Sequence, residues 1–196
     1  MKIIDISQEV FSCKVYPGDV TPQYERPVSM DEGQVYNLTN ISMCVHNGTH
    51  VDAPFHFIND GDTIDKISLE SYVGLCWVAC HEGEVGEKEA LEIMAKAVRN
   101  NAAERILIAG KVVVTEEGAK VFADHKIKLI GNEGVSVGPE NAPMAVHKIL
   151  LSKGVTLLEG IVLDGVSEGR YFLSAAPLNL KGCDGSPCRA YLIEVK

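Results

Sequence analysis

The chain has 196 residues, 46% hydrophobic and 23% charged, with a formal net charge of −9 at pH 7 and a pI near 5.1. That is the composition of an ordinary soluble globular protein, long enough to bury a core unaided, so one domain over 1–196 is expected. The acid excess and the lack of any Lys/Arg run exclude a nucleic-acid surface, and no stretch approaches the roughly 20 apolar residues of a membrane span.

In chain order, Met1-Lys2-Ile3-Ile4-Asp5-Ile6 leads directly into a strand over 2–7, with no signal-peptide pattern before it, so a cytoplasmic location is expected. Further β-branched runs bounded by turn residues predict strands over 35–45, 75–80, 105–108, 127–130, 156–163, 171–175 and 189–195. A helix is expected over 87–100, where Ala90, Leu91, Met94, Ala97 and Val98 recur at helical spacing behind a Glu-rich first turn. Shorter helices fit 115–125, and 143–153 between Pro143 and Gly154. Strands with interspersed helices make a mixed α/β fold. Cys13, Cys44, Cys76, Cys80, Cys183 and Cys188 form no CxxC pair, which excludes a zinc ribbon or thioredoxin-like motif and predicts reduced thiols.

The densest chemistry lies in residues 45–57, VHNGTHVDAPFHF. Read with a period of two, Val45, Thr49, Val51, Ala53, Phe55 and Phe57 share one face, and His46, His50, Asp52 and His56 the other. Asn47-Gly48, Pro54 and the β-branched residues argue against a helix. On a strand His50 and Asp52 lie roughly 6.6 Å apart on one side, near enough to share an ion. Fully extended, His46 would be about 20 Å from Asp52, so a shared metal requires a chain reversal, best placed at Asn47-Gly48. Imidazole and carboxylate ligands suit zinc, with manganese or iron as alternatives, and three ligands with an open position describe a catalytic site.

The run His46-Asn47-Gly48-Thr49-His50-Val51-Asp52-Ala53-Pro54-Phe55-His56-Phe57 closely resembles the HxGTHxDxPxHF signature of the metal-dependent cyclase family, which includes bacterial kynurenine formamidase and isatin hydrolase. The resemblance extends through Tyr16-Pro17-Gly18-Asp19, Leu129-Ile130-Gly131, His147, Leu158-Glu159-Gly160, Pro177-Leu178 and Asp184-Gly185-Ser186-Pro187 with Arg189-Ala190. It implies a swivelling β/β/α cyclase-like domain with a strand-rich core, flanking helices, and a homodimer or higher homo-oligomer. It also implies two metal ions, zinc or else manganese. His46, His50 and Asp52 would hold one, Asp52 would bridge, and His147 with Glu159 would complete the second. By themselves these two are weaker: His147 is a polar residue on a short helix, and Glu159 an isolated acid in the apolar run 155–163. A carboxylate there is costly unless paired or metal-bound; the alternative is a strand end facing solvent.

His56, without a ligand role in the family pattern, would be the general acid and base, work that suits an imidazole. The implied activity is hydrolysis of a small-molecule amide, an aryl formamide such as N-formylkynurenine or a cyclic amide, by metal-activated water. A lactonase or dehydrating cyclase on the same site, or a non-catalytic metal- or small-molecule-binding protein, are the alternatives.

The match departs at Gly131–Ser136, where Glu133 stands in place of the aspartate of formamidases, a change expected to bear on the substrate pocket and not on the metals. Tyr16, Phe55 and Phe57 are the aromatic residues available to a pocket, although Phe55 and Phe57 read as core, as does Trp77. Asn59-Asp60-Gly61-Asp62 reads as a turn, not a calcium loop, and His81 and His125 as solvated. Ser186 has no base close in sequence, which weakens a serine-hydrolase reading.

Overall fold

The computed structural model describes residues 2–195; Met1 and Lys196, the ends of the expected 1–196 domain, lie outside the described residues. The strands of the first half are β1 (Ile3–Asp5), β2 (Gln23–Val28), β3 (Leu38–Ser42), β4 (His50–Asp52), β5 (Val73–Cys80) and β6 (Gly83–Val85). Those of the second are β7 (Arg105–Ala109), β8 (Val112–Val114), β9 (Leu129–Asn132), β10 (Thr156–Glu159), β11 (Gly169–Ser174), β12 (Gly185–Pro187) and β13 (Tyr191–Glu194). Helices α1 (Glu87–Arg99), α2 (Glu116–Asp124) and α3 (Met144–Leu151) fall inside the three expected ranges.

Nine strands form one mixed sheet in the order β1-β13-β11-β5-β7-β9-β10-β4-β12. Its centre, β5-β7-β9-β10, is parallel, and both wings are antiparallel. The centre is buried on both faces, as parallel strands usually are. On one face Trp77, Ile106, Ile108, Ile130 and Leu157 pack under Met94, Phe122 and Leu150 of the helices. On the other, Val78, Leu107 and Leu158 meet Val51, Leu173 and Leu192 from the wings. This second core curls the sheet: Ser7, just past β1, bridges to Ile161, just past β10, and the Val162 amide donates to the Ile6 carbonyl at 2.9 Å.

Local chemistry sets the helix ends. The Thr115 hydroxyl accepts from the Gly118 amide, and the Glu89 carboxylate from the Gly86 amide. Trp77 is core, as expected. The expected strand over 156–163 stops at Glu159, because Gly160 adopts φ 65° and its Cα lies against the Gly48 carbonyl, where a Cβ would clash.

Further expectations change. Only His50–Asp52 of the alternating 45–57 stretch is strand; residues before it turn, and Pro54–His56 form a 3-10 turn. In consequence Phe55 is 37% exposed instead of core, while Phe57 packs beside the helix-side cluster. The Gly-Ser-Pro of β12, read as turn, is a strand because β4 offers it a partner edge. Among the described residues no helix is long and apolar enough to cross a membrane.

Candidate metal centre

His50 and Asp52 point the same way from β4, with Val51 buried on the opposite face. β4 lies between β10 and β12, a register that sets Glu159 opposite His50 and Gly185 opposite Asp52. The reversal that returns His46 is made by Gly48, at φ 67°. Asn47 contributes otherwise: its buried Oδ1 accepts the Cys44 amide at 2.9 Å. Thr49 anchors the turn by donating to the Gly160 carbonyl at 2.6 Å. His147 enters from α3, its ring 4.7 Å from that of Phe57.

All five expected ligands converge. His46 Nδ1 lies 2.9 Å and His50 Nε2 3.5 Å from Asp52 Oδ1, whereas His147 Nε2 lies 3.6 Å from Asp52 Oδ2 and 3.2 Å from Glu159 Oε1. Glu159 Oε2 is 3.6 Å from His50 Nε2. Each imidazole turns its other nitrogen outward: His50 Nδ1 donates to the Gly48 carbonyl, His147 Nδ1 to the Pro143 carbonyl, and His46 Nε2 to Asp184 Oδ2. Outer partners of this kind fix the tautomer of a metal-binding histidine. Asp52 Oδ2 is buried without a hydrogen-bond partner, which for a fully buried carboxylate asks for a cation. The donor set therefore fits a divalent metal.

The electrostatics agree. Burial pushes the Asp52 carboxyl up, but His147 and His46 outweigh it and hold it well below the usual carboxylate range. Burial likewise disfavours charge on His46 and His147, yet their carboxylate partners push them up to about 11 and about 10. Protons and a metal cation thus compete for the same nitrogens.

His56 stands beside this cluster, its ring 4.1 Å from that of His46, and its Nδ1 donates to Asp184 Oδ2 at 2.9 Å. His46, Asp52 and His56 also offer potential ligand atoms within 4.8 Å of one another. Asp184, whose carboxylate meets both rings, is the residue of this cluster that the sequence did not single out; only its place in the Asp184-Gly185-Ser186-Pro187 run hinted at it. Gly185 is needed beside it, since a Cβ there would lie 2.7 Å from His46 Cε1.

A cavity of about 210 Å³ opens on the histidines, walled by Tyr16, Asp19, Phe57, Val135, Ser136 and Pro143. Glu133 does not line it. Its carboxylate accepts the Gly110 and Leu163 amides at 2.7 and 2.9 Å, so the departure at this position ties loops together and leaves the pocket untouched. The other side candidates are structural. Ser186 donates to the Pro187 carbonyl and accepts the Leu178 amide, and the ring nitrogens of His81 and His125 bond backbone carbonyls.

Residues 4–139 match the family described as "Putative cyclase". The chain belongs to the cyclase family. This cyclase-family chain is 35% identical to a kynurenine formamidase of Erythrobacter litoralis over 99% of its own length and 94% of that protein. It is also 35% identical to a kynurenine formamidase of Bacillus cereus, covering 96% of each. Among solved structures it is similar to a predicted metal-dependent hydrolase from Bacillus stearothermophilus, at 27% identity, TM-score 0.77 and 97% coverage of each chain. The cyclase fold is shared as well with isatin hydrolase A from Labrenzia aggregata, at 23% identity, TM-score 0.83, and coverage of 100% and 94%.

Proposed function

We propose that the chain is a metal-dependent hydrolase of a carbon–nitrogen amide bond, acting on an aryl formamide such as N-formylkynurenine or on a cyclic amide. His46, His50, Asp52, His147 and Glu159 would hold two zinc ions, with Asp52 between them. The observation that carries this reading is the division of Asp52, which turns Oδ1 to His46 and His50 and an unpartnered Oδ2 to His147. The kynurenine formamidase relatives, alike over nearly the whole chain, support the amide as the bond attacked.

Bound there, the metals would supply a water of lowered pKa and polarise the substrate carbonyl. His56 moves the proton. Its Nδ1 is committed to Asp184, so Nε2 is the atom that takes a proton during attack and returns it to the leaving nitrogen. Tyr16, Phe57 and Pro143 give the cavity flat apolar walls for an aryl ring. Its volume falls below the ~300–1,000 Å³ usual for drug-sized ligands, which favours a single-ring substrate.

A homo-oligomer belongs to this reading. The β2–β3 ribbon exposes Tyr24, Leu38 and Ile41, and an isolated two-stranded ribbon is marginal in water without a surface to pack on. So do a cytoplasmic location and one catalytic unit over 1–196.

The deciding experiment is elemental analysis of protein purified without added metal, followed by N-formylkynurenine, isatin and simple lactones offered to metal-replete and chelated protein. Turnover of the amides by the replete form alone is expected. Turnover that survives chelation overturns the mechanism.

A further inference from the structure

Asp184 Oδ2 accepts hydrogen bonds from two imidazoles at once, from His46 Nε2 at 2.8 Å and from His56 Nδ1 at 2.9 Å. A neutral imidazole carries one N–H, and the partner of that nitrogen decides which end it is. An ionised carboxylate only accepts, so the nitrogens facing Asp184 are the N–H ends of both rings. His46 Nδ1, 2.9 Å from Asp52 Oδ1, is then the nitrogen left for a metal, and the His56 lone pair falls on Nε2. His50 and His147 need no such help, because the Gly48 and Pro143 carbonyls already orient them.

The position of Asp184 is fixed by the fold. Its carbonyl accepts the Ala53 amide at 2.9 Å, and the next residue, Gly185, pairs with Asp52 in the β4–β12 ladder. The carboxylate is thus held in register with the very strand that carries His50 and Asp52.

We propose that Asp184 is a positioning residue that sets, through one oxygen, the tautomer of a metal ligand, His46, and of the proton carrier, His56. The proposal rests on the metal-hydrolase reading above. Its consequence is that a single side chain governs both how tightly metal is held and how well a proton is moved. An amide at this position could present at best a neutral carbonyl oxygen to both rings, so the charge that strengthens the two hydrogen bonds is lost.

The test compares Asp184→Asn, His56→Ala and the double variant in the full chain. Zinc affinity is read by competition with a chromophoric chelator, and kcat and KM with N-formylkynurenine at saturating zinc. Loss of an outer partner of a metal-binding histidine typically weakens metal binding or activity by about 10–100-fold. Asp184→Asn is therefore expected to weaken zinc about tenfold whether or not His56 is present, since that effect runs through His46. It should lower kcat about 10–100-fold with KM within about twofold, and should add nothing to the loss in His56→Ala. Asp184→Glu, which keeps the carboxylate, should recover part of the zinc affinity. The proposal falls if Asp184→Asn binds zinc and turns over as the parent does, or if its kcat loss adds in full to that of His56→Ala. Should the parent hydrolyse no amide, the hydrolase reading fails, and the zinc arm still decides whether Asp184 acts on His46.

Discussion

Glu159 Oε1 accepts the Val137 amide at 2.7 Å while lying 3.2 Å from His147 Nε2. The backbone thus aims one oxygen of a buried carboxylate and leaves the other, Oε2, facing His50 Nε2 at 3.6 Å. In Glu159→Gln the carbonyl can still satisfy Val137, which puts an NH₂ group toward His50. The variant should fold with a melting temperature within a few degrees of the parent. Its metal content after reloading should fall from two ions to one, read by elemental analysis; two ions retained would remove Glu159 from the ligand set.

His56→Ala separates proton transfer from metal binding. Metal content should stay near normal and hydrolysis should fall about 10²–10⁴-fold, to a residual rate that can still be measured. The ring lies close enough to His46 and Asp52 to be a ligand itself, so loss of metal in the variant would reassign it.

Zinc binding should be strongly pH-dependent. His46 and His147 are pushed up to about 11 and about 10 by their carboxylate partners, so both are protonated at pH 7 and must lose a proton to bind metal. Raised imidazole pKa values act against the metal at low pH, and the penalty disappears as pH climbs toward those values. Affinity should therefore rise between pH 6 and 9, by about tenfold per pH unit for each proton displaced. Calorimetry in two buffers of different ionisation enthalpy should register the released protons; a flat affinity would contradict the assignment.

The β2–β3 ribbon gives a test of assembly. Replacing Leu38 and Ile41, 46% and 62% exposed, with glutamate should lower the mass seen by light scattering if the ribbon meets a second copy. An unchanged oligomer would place the contact elsewhere.

Arg105, 2% exposed, is a structural cation far from the metal centre. It donates to the carbonyls of Ser71 and Leu75 at 3.1 Å and to that of Glu70. Arg105→Met would strand those acceptors, and should cost about 2–4 kcal/mol in urea unfolding while leaving zinc affinity unchanged.

The parts of this structure that were legible in the sequence are those with a local signature. The three helices follow from apolar spacing and end signals, and the His50–Asp52 pair from alternation along one strand. The extent of that strand was not legible, because the sequence alternates through 45–57 while the Gly48 turn and Pro54 confine pairing to three residues. Nor was β12, since Gly185-Ser186-Pro187 has the composition of a turn and becomes strand only by pairing with β4. Asp184 stayed hidden for the same reason: an isolated aspartate carries no signal until the fold sets it against two rings. Glu159 lay between the two cases, visible as an acid out of place but needing His50 opposite it to acquire a reason.

The bonds that close the metal centre join residues remote in sequence: His46 and His56 reach Asp184 across 138 and 128 positions. Nearly the whole chain must be threaded before these groups can meet, and closing such long loops is among the slower events of folding. A chain emerging from the ribosome would carry His46, His50 and Asp52 early but lack most of their companions. On the metal-hydrolase reading, firm metal capture would therefore mark a finished molecule, and a metal-sensitive signal during refolding would appear last.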